Sequence, residues 1–411
     1  MQKALLDHRD LYRLPWTLPD NAISWLEPTS ECNLACDGCY RDNEKNSHKS
    51  LEEVKHELDV FQRLRNTDCI SIAGGDPLLY PDILEIVKDV KSRGIKPIIN
   101  TNGKALTKEF LLKLKEAGVY GFTFHIDSKQ GRPGKWRGKD ELELNELRLH
   151  YANMLAEVGG LSCSFNATVY EDTLHFVPDL VEWAEKHIDV VHTIVFIMFR
   201  HVVPQMKFDW YAGGQKVDWQ NIKYHSDTER KIDIKADDIL AEIRKKFPEF
   251  TPAAYLNGTD QPDSFKWLLT ERVGTKKKIF GYLGAKYIEF VMSSFHFFTG
   301  KYLSYASPKM TNFGKSIFFL SPFDKGSRKA AKKYLFACLK NPANIFRRLY
   351  LQSVLFIQPV DFAPDGEQSM CDGCPDITVW NDKLVWSCRL EEPKQFGTFL
   401  KSVPQKNNDE K

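Results

Sequence analysis

Between residues 20 and 200, β-prone runs and amphipathic helical runs alternate, and this constrains the fold more than any other feature of the 411-residue chain. Strand signals at 22–26, 69–73, 96–100, 120–126, 162–169 and 190–199 are separated by helical signals at 51–65, 81–93, 107–117, 141–158 and 176–186. Ser50 and Glu53 form a capping box ahead of the first helix, and Gly94 and Gly118 close the second and third. Strands joined through helices pair in parallel with right-handed crossovers. An open sheet and a partial barrel both satisfy this rule. Six β/α units with polar loops after the strands favour an α/β fold built on a partial (β/α)6, TIM-like barrel. After about Arg200 the rhythm is lost. The chain therefore divides into an N-terminal segment (1–20), the β/α core (21–200), a polar and then basic, aromatic region (201–357), and a C-terminal α+β extension (358–411). In the third part GSRKAAKKYLFACLK and NIFRRLYLQSVLF read as helical patches, and the closing QKNNDEK reads as a disordered tail.

Six of the nine cysteines stand in two tight groups, a pattern of metal binding rather than of a disulfide framework. The first residues, MQKALLDHRDLYRLPW, lack the apolar core and small-residue cleavage site of a signal peptide. The most apolar stretch, 279–298, is broken by Lys286 and Glu289, which disfavours a membrane span. A cytoplasmic location is expected, peripheral to the inner face of the membrane if the basic region described below binds lipid. Net charge is only +2, yet residues 272–348 hold 16 Lys/Arg against Glu289 and Asp324 and so carry +14, leaving −12 for the rest. That asymmetry assigns an anionic partner to one region, not to the whole molecule.

The first group, ECNLACDGCYRD, places Cys32, Cys36 and Cys39 in a C-x3-C-x2-C spacing directly after the first strand. Thiolates hold iron–sulfur cubanes, and three ligands without a fourth leave one iron open. A zinc site or a simple electron carrier is the plainer alternative, although zinc prefers paired C-x2-C knuckles. Followed by the aromatic Tyr40 and placed at the end of the first β/α strand, the motif resembles that of the radical S-adenosylmethionine (SAM) superfamily. AGGDPLLYPD, from Ala73 to Asp82, resembles that family's glycine-rich GGEP loop, with Asp76 in place of the more usual Glu. The resemblance covers roughly residues 20–200. It implies a [4Fe–4S] cluster whose open iron chelates SAM and an electron from a reductant such as flavodoxin or ferredoxin. It further implies a 5′-deoxyadenosyl radical that abstracts hydrogen from an organic substrate.

Under the resemblance, SAM-binding residues come from the strand ends. Gly74 and Gly75 are expected to let backbone approach the cofactor. Asp76, Asn102 in the TNG turn (with Asn100, Thr101 and Gly103), His125, Asp127 and Asn166 are the other candidates. For the TNG residues a plain polar turn accounts equally well, and His125 also fits as a satisfied core histidine. Arg200 and His201 end the sixth strand and either meet a substrate acid or lie in solvent. Cys69 and Cys163, inside strands, read as small buried hydrophobes.

The second group, MCDGCPDITVWNDKLVWSCRLEE, sets Cys371 and Cys374 as a knuckle and returns Cys388 toward it through a hairpin turning at NDK. Two readings stand: a structural zinc completed by an Asp, a His or Cys338, or a second iron–sulfur cluster. A second cluster resembles the SPASM or shortened twitch extensions of radical SAM enzymes, although the full pattern has more cysteines. The basic segment repeats Phe and Tyr beside Lys and Arg. A solvated face over an aromatic core, nucleic-acid stacking and an anionic membrane surface all fit, and the Phe-rich runs favour the membrane over nucleic acid. The substrate is then an apolar lipid or isoprenoid at a membrane, or alternatively a peptide. A metal-binding module without SAM chemistry would leave the GGDP loop without a purpose.

Overall fold

The computed structural model describes residues 5–261 and 264–405. From 406 onward the expected disordered tail lies outside the described residues, as do the first four residues of the N-terminal segment. Six strands form in the expected places: β1 (Asp20–Thr29), β2 (Asn66–Gly74), β3 (Lys96–Thr101), β4 (Gly121–His125), β5 (Ser162–Val169) and β6 (Thr193–Met198). Each pairs in parallel with the next. The intervening helices are α1 (Leu51–Leu64), α2 (Ile83–Ser92), α3 (Lys108–Ala117), α4 (Asn145–Val158) and α5 (Val177–Lys186). The Ser50–Glu53 capping box is present, Thr107 caps α3, and Gly118 ends it in the left-handed region at φ 104°. The apolar stripes of these helices pack on the sheet in one continuous core that includes Val54, Phe61, Ile86, Leu111 and Val181.

Part of the region after Arg200 returns to the sheet. Following α6 (Ala236–Lys246) come β7 (Ala254–Asn257), β8 (Phe265–Thr275), β9 (Lys278–Tyr282), α7 (Ala285–Thr299), α8 (Lys325–Lys340) and β10 (Tyr350–Ile357). β10 joins β6 in parallel, β8 pairs antiparallel with β10, and β7 and β9 pair antiparallel with β8. One of the two helical patches is corrected by this arrangement. GSRKAAKKYLFACLK forms α8, but YLQSVLFI is a strand whose residues alternate between the two faces of the sheet, not a helix. Gln352 hides this from the sequence: it is buried in β10 and donates to the carbonyls of Ala184 and Val191.

The far edge of the sheet ends on a short strand, Tyr12–Arg13, parallel to β7. Its other edge is β1, so residues 14–19 alone connect the two edges. Six residues reach at most about 25 Å, which curls the sheet into an almost closed barrel. The C-terminal cysteine hairpin is present as β11 (Ile377–Trp380) and β12 (Lys383–Trp386), turning through Asn381 and Asp382 at positive φ. Among the described residues no helix is long and apolar enough to cross a membrane.

Candidate metal and cofactor site

β1 delivers the chain into the loop carrying Cys32, Cys36 and Cys39, and side chains hold that loop open. Asn43 accepts from the Cys32 amide at 2.8 Å and donates to the Leu34 carbonyl at 3.1 Å. The next strand end braces it. The Gly75 amide donates to the Thr29 carbonyl and the Asp76 amide to the Glu31 carbonyl. A Cβ on Gly74 would strike the Thr29 carbonyl, and one on Gly75 the Glu31 carbonyl. The glycines are thus required by contact with the cysteine loop, while both still line the cavity above it.

Asp76 does not face that cavity. It is fully buried, accepting from Thr101 Oγ1 and the Asn102 and Leu78 amides, so it fixes the TNG turn instead. Asn102 then reaches the cysteine loop, with Nδ2 2.8 Å from Asn33 Oδ1 and 3.7 Å from Cys32 Sγ. His125 Nε2 lies 3.0 Å from both Asp127 Oδ2 and Thr168 Oγ1. Burial alone would raise the Asp127 carboxyl, but the hydrogen bond and charge of His125 hold it below the usual carboxylate range. Asn166 lines the cavity with Oδ1 unpartnered, as does His201 with Nε2 unpartnered. Arg200 points elsewhere, into a buried pair with Asp361 and onto the Ile234 carbonyl. Tyr40 packs edge-on to His201 with ring centroids 5.9 Å apart. Cys69 and Cys163 are buried within their strands.

The second trio meets the first. Cys371, Cys374 and Cys388 line the same cavity of about 550 Å³ as Cys32, Cys36 and Cys39. Cys338 lies on α8 with Tyr334 in the apolar core beside the knuckle and does not line this cavity. Asn21 donates to the Gly373 carbonyl, and Arg65 to the carbonyls of Cys374 and Leu18, tying the knuckle to the sheet edge. The tie between the two trios was not anticipated from the sequence. Arg41, two residues after Cys39, is buried in a pair with Glu27 of β1 and donates to the Ser387 carbonyl beside Cys388 at 2.6 Å. Asp376, two residues after Cys374, was missed as an individual and also faces the cavity. Burial pushes its carboxyl up to about 7 against the opposing pull of Arg65. Its only sequence signal was the CPD that closes the knuckle.

A second cavity of about 420 Å³ adjoins the first, with Trp25, Asn100, Asn166, Trp267, Ile357 and Asp376 shared between them. Its remaining walls come from β6, β8 and β10 on one side and from α7 and residues 303–316 on the other, and they are largely aliphatic and aromatic. Glu271 of β8 sets a carboxyl among them. Burial raises its carboxyl to about 7, and Ser353 Oγ donates to it at 2.6 Å.

The donor set suits a cluster and a zwitterionic ligand. Six thiols surround one space, and the orphaned Asn166 carbonyl oxygen offers an acceptor of the kind an ammonium or hydroxyl group requires. Among the described residues no three His, Cys, Asp or Glu side chains are drawn together as around a single metal ion.

The model of the radical SAM superfamily matches residues 26–138. The AdoMet-dependent heme synthase of Oleidesulfovibrio alaskensis is 26% identical over 194 residues, covering 45% of this chain and 49% of that protein. The Fe-coproporphyrin III synthase of Methanosarcina barkeri is 27% identical over 260 residues, covering 61% of this chain and 60% of that one. The chain spans about half the length of the curated relatives it matches. Among solved structures, SuiB of Streptococcus suis bound to S-adenosylmethionine aligns at 16% identity, with a TM-score of 0.38, over 56% of this chain and 48% of that one. An overlay that partial carries no weight for function.

Proposed function

We propose that this chain, whose residues 26–138 match the radical SAM superfamily, is an enzyme that cleaves SAM reductively and takes hydrogen from an apolar substrate. Cys32, Cys36 and Cys39 would hold the [4Fe–4S] cluster, with Gly74, Gly75, Asn102, His125 and Asn166 around its SAM. When bound, that pair supplies one-electron cleavage of the sulfonium and a 5′-deoxyadenosyl radical able to abstract hydrogen. The chain's own residues bind, orient and exclude water. Asn43 and the GGDP loop keep the three thiols splayed around an opening rather than closed on a point. Asp127 orients His125 across the SAM side of the cavity. Trp25 and Trp267 stand between that cavity and the apolar chamber, where the substrate carbon would lie.

Cys371, Cys374 and Cys388 are read as ligands of a second iron–sulfur cluster, with the Asp376 carboxyl lining the same cavity. The single observation that carries the reading is that both cysteine trios open onto one cavity, which itself adjoins a more apolar space. The aliphatic and aromatic walls of that space favour a lipid-like or isoprenoid substrate over a peptide, whose backbone would need polar partners there.

The test is anaerobic reconstitution, with iron and sulfide counted per chain and 5′-deoxyadenosine release measured under dithionite. About eight irons are expected, with release abolished by Cys36→Ala. About four irons and one zinc would reassign the C-terminal trio to structure. No iron and no release would overturn the proposal.

A further inference from the structure

Among the described residues, seventeen large apolar side chains are exposed, and eleven of them lie between Phe290 and Phe346. All eight exposed phenylalanines fall in this stretch. Soluble proteins seldom leave so much aromatic surface uncovered in one place without a partner for it. We infer that the outer face of residues 285–348 docks on a fluid bilayer containing anionic lipids, and that the apolar chamber beneath opens toward that bilayer to admit its substrate. The second clause rests on the function proposed above; the first does not.

The helices are two-sided. α7 buries Tyr287, Ile288 and Met292 against the sheet and the chamber, while Phe290 and Phe297, seven residues apart, project from its opposite side. Phe290 packs on Phe319 of the short helix Ile317–Leu320 at 6.2 Å between centroids, joining two elements of the outer face. On α8 the exposed Leu335, Phe336 and Leu339 form an apolar strip between the exposed Lys332 and Lys340. The turn Pro342–Phe346 adds Ile345 and Phe346, and Lys315 Nζ ties it to this face through the Ile345 carbonyl.

Charge identifies the occupant. Residues 285–348 carry +10, and neither of their two acids is free: Glu289 pairs with Lys286, and Asp324, ahead of α8, is buried, accepting from the Ser327 and Gly284 amides. Lys309, Lys325, Lys332, Arg347 and Arg348 are exposed and form no ion pair among the described residues. A second copy of the same face would meet like charge. A surface of anionic headgroups over hydrocarbon instead satisfies both the cations and the phenylalanines, as for interfacial helices that carry Lys and Arg beside Phe and Leu.

Position links the surface to the chamber. Phe313 lines the chamber and is at the same time 67% exposed, so the chamber wall reaches the surface on the face that carries the other phenylalanines. A lipid entering there would pass from bilayer to chamber without crossing water.

The experiment is flotation of the reconstituted protein with vesicles of phosphatidylcholine alone or with about 30% phosphatidylglycerol. Binding is expected to the anionic vesicles and to weaken with salt. Phe297→Ser combined with Phe346→Ser is expected to lower partitioning at least about tenfold, and Lys332→Glu to lower it on anionic vesicles only. Lys333 is left unchanged, because it pairs with Glu249. All three positions are exposed, so unchanged melting checks the fold. Absence of vesicle binding by the wild type, or equal binding by the double variant, overturns the inference. So does self-association in the ultracentrifuge that the double variant abolishes without any vesicle binding. Because flotation is read without turnover, a protein that binds vesicles but cleaves no SAM would fail the proposed reaction and leave the docking surface standing.

Discussion

Replacing Glu271 by Gln isolates the carboxyl that β8 sets into the apolar chamber wall. Its folded pKa is raised from 4.5 to about 7 by burial, with the Ser353 hydroxyl and the neighbouring Arg272 only partly offsetting that. Between those two pH values the folded protein binds more protons at this site than the unfolded chain does, so stability falls as pH rises. The contribution is fully present below about 4.5, declines from there, and is lost once pH passes the folded value. A displacement of this size corresponds to about 3 kcal/mol at most. Gln keeps the shape and hydrogen-bonding capacity of the protonated acid but cannot ionise. Glu271→Gln and wild type should therefore melt together near pH 4.5, and the variant should be the more stable by up to that amount at pH 8. For a chain of 411 residues the full difference is about 4 °C in Tm. Melting both proteins from pH 4.5 to 8 reads it directly. Parallel profiles across that range would refute the reasoning, because they would mean that Glu271 ionises in the folded protein as readily as in water. The same carboxyl, protonated in a large fraction of molecules up to about pH 7, would in that form offer a bound substrate an O–H donor in the chamber.

Two further perturbations probe the scaffold of the cysteine cavity. Gly75→Ala places a methyl group on the Glu31 carbonyl; the cysteine loop must shift, and iron retained after reconstitution should fall severalfold while helical content is kept. Arg41→Met leaves Glu27 buried without its cation and should cost about 3–5 kcal/mol in urea unfolding. It should also loosen the C-terminal cysteine segment, because the Ser387 carbonyl loses its donor; faster amide exchange around 387–388 than in wild type is the check.

The first half of the fold was legible because each signal there is local. Ser50 with Glu53, Thr107 and Gly118 cap their helices as the sequence implies, and the strands between them are apolar enough to read as buried. α4 shows where local reading slips. The helical signal begins at Glu141, but the helix starts at Asn145, because Glu141 is taken up by the Ser128 amide and by Arg148. Past Arg200 the difficulty is of a different kind. β8, FKWLLTERVGT, buries Lys266 and Arg272 completely, and a sequence containing them does not look like a central strand. Their partners are Asp361 for the lysine, and Gln352 and the Val181 carbonyl for the arginine, all at least 80 residues away along the chain. Burial of charge becomes tolerable only once those partners are in place, and no window of local sequence contains them.

The candidate site divides along the same line. Spacing located each cysteine trio, since C-x3-C-x2-C and the knuckle with its hairpin are both short-range patterns. That the two trios share a cavity depends on closure of the sheet. Residues 14–19 bring its far edge back beside β1, and contacts from Asn21, Asn257 and Arg65 then fasten residues 371–375 to that seam. The Asp76 side chain turns away from the cavity for a reason that is equally non-local. In the motif it is the obvious polar group, yet it lies behind the GGDP turn, where Thr101 and Asn102 arrive from the next strand and donate to it alongside the Leu78 amide. Asn166 had the weaker signal, a single polar residue in an apolar strand. It is nonetheless the side chain that stands between the two cavities with a free acceptor, because nothing in the neighbouring strands was placed to satisfy it. In a strand this well packed an unsatisfied carbonyl oxygen carries a free-energy penalty, and a ligand that donates to it removes that penalty at the boundary where SAM and an apolar substrate would have to meet.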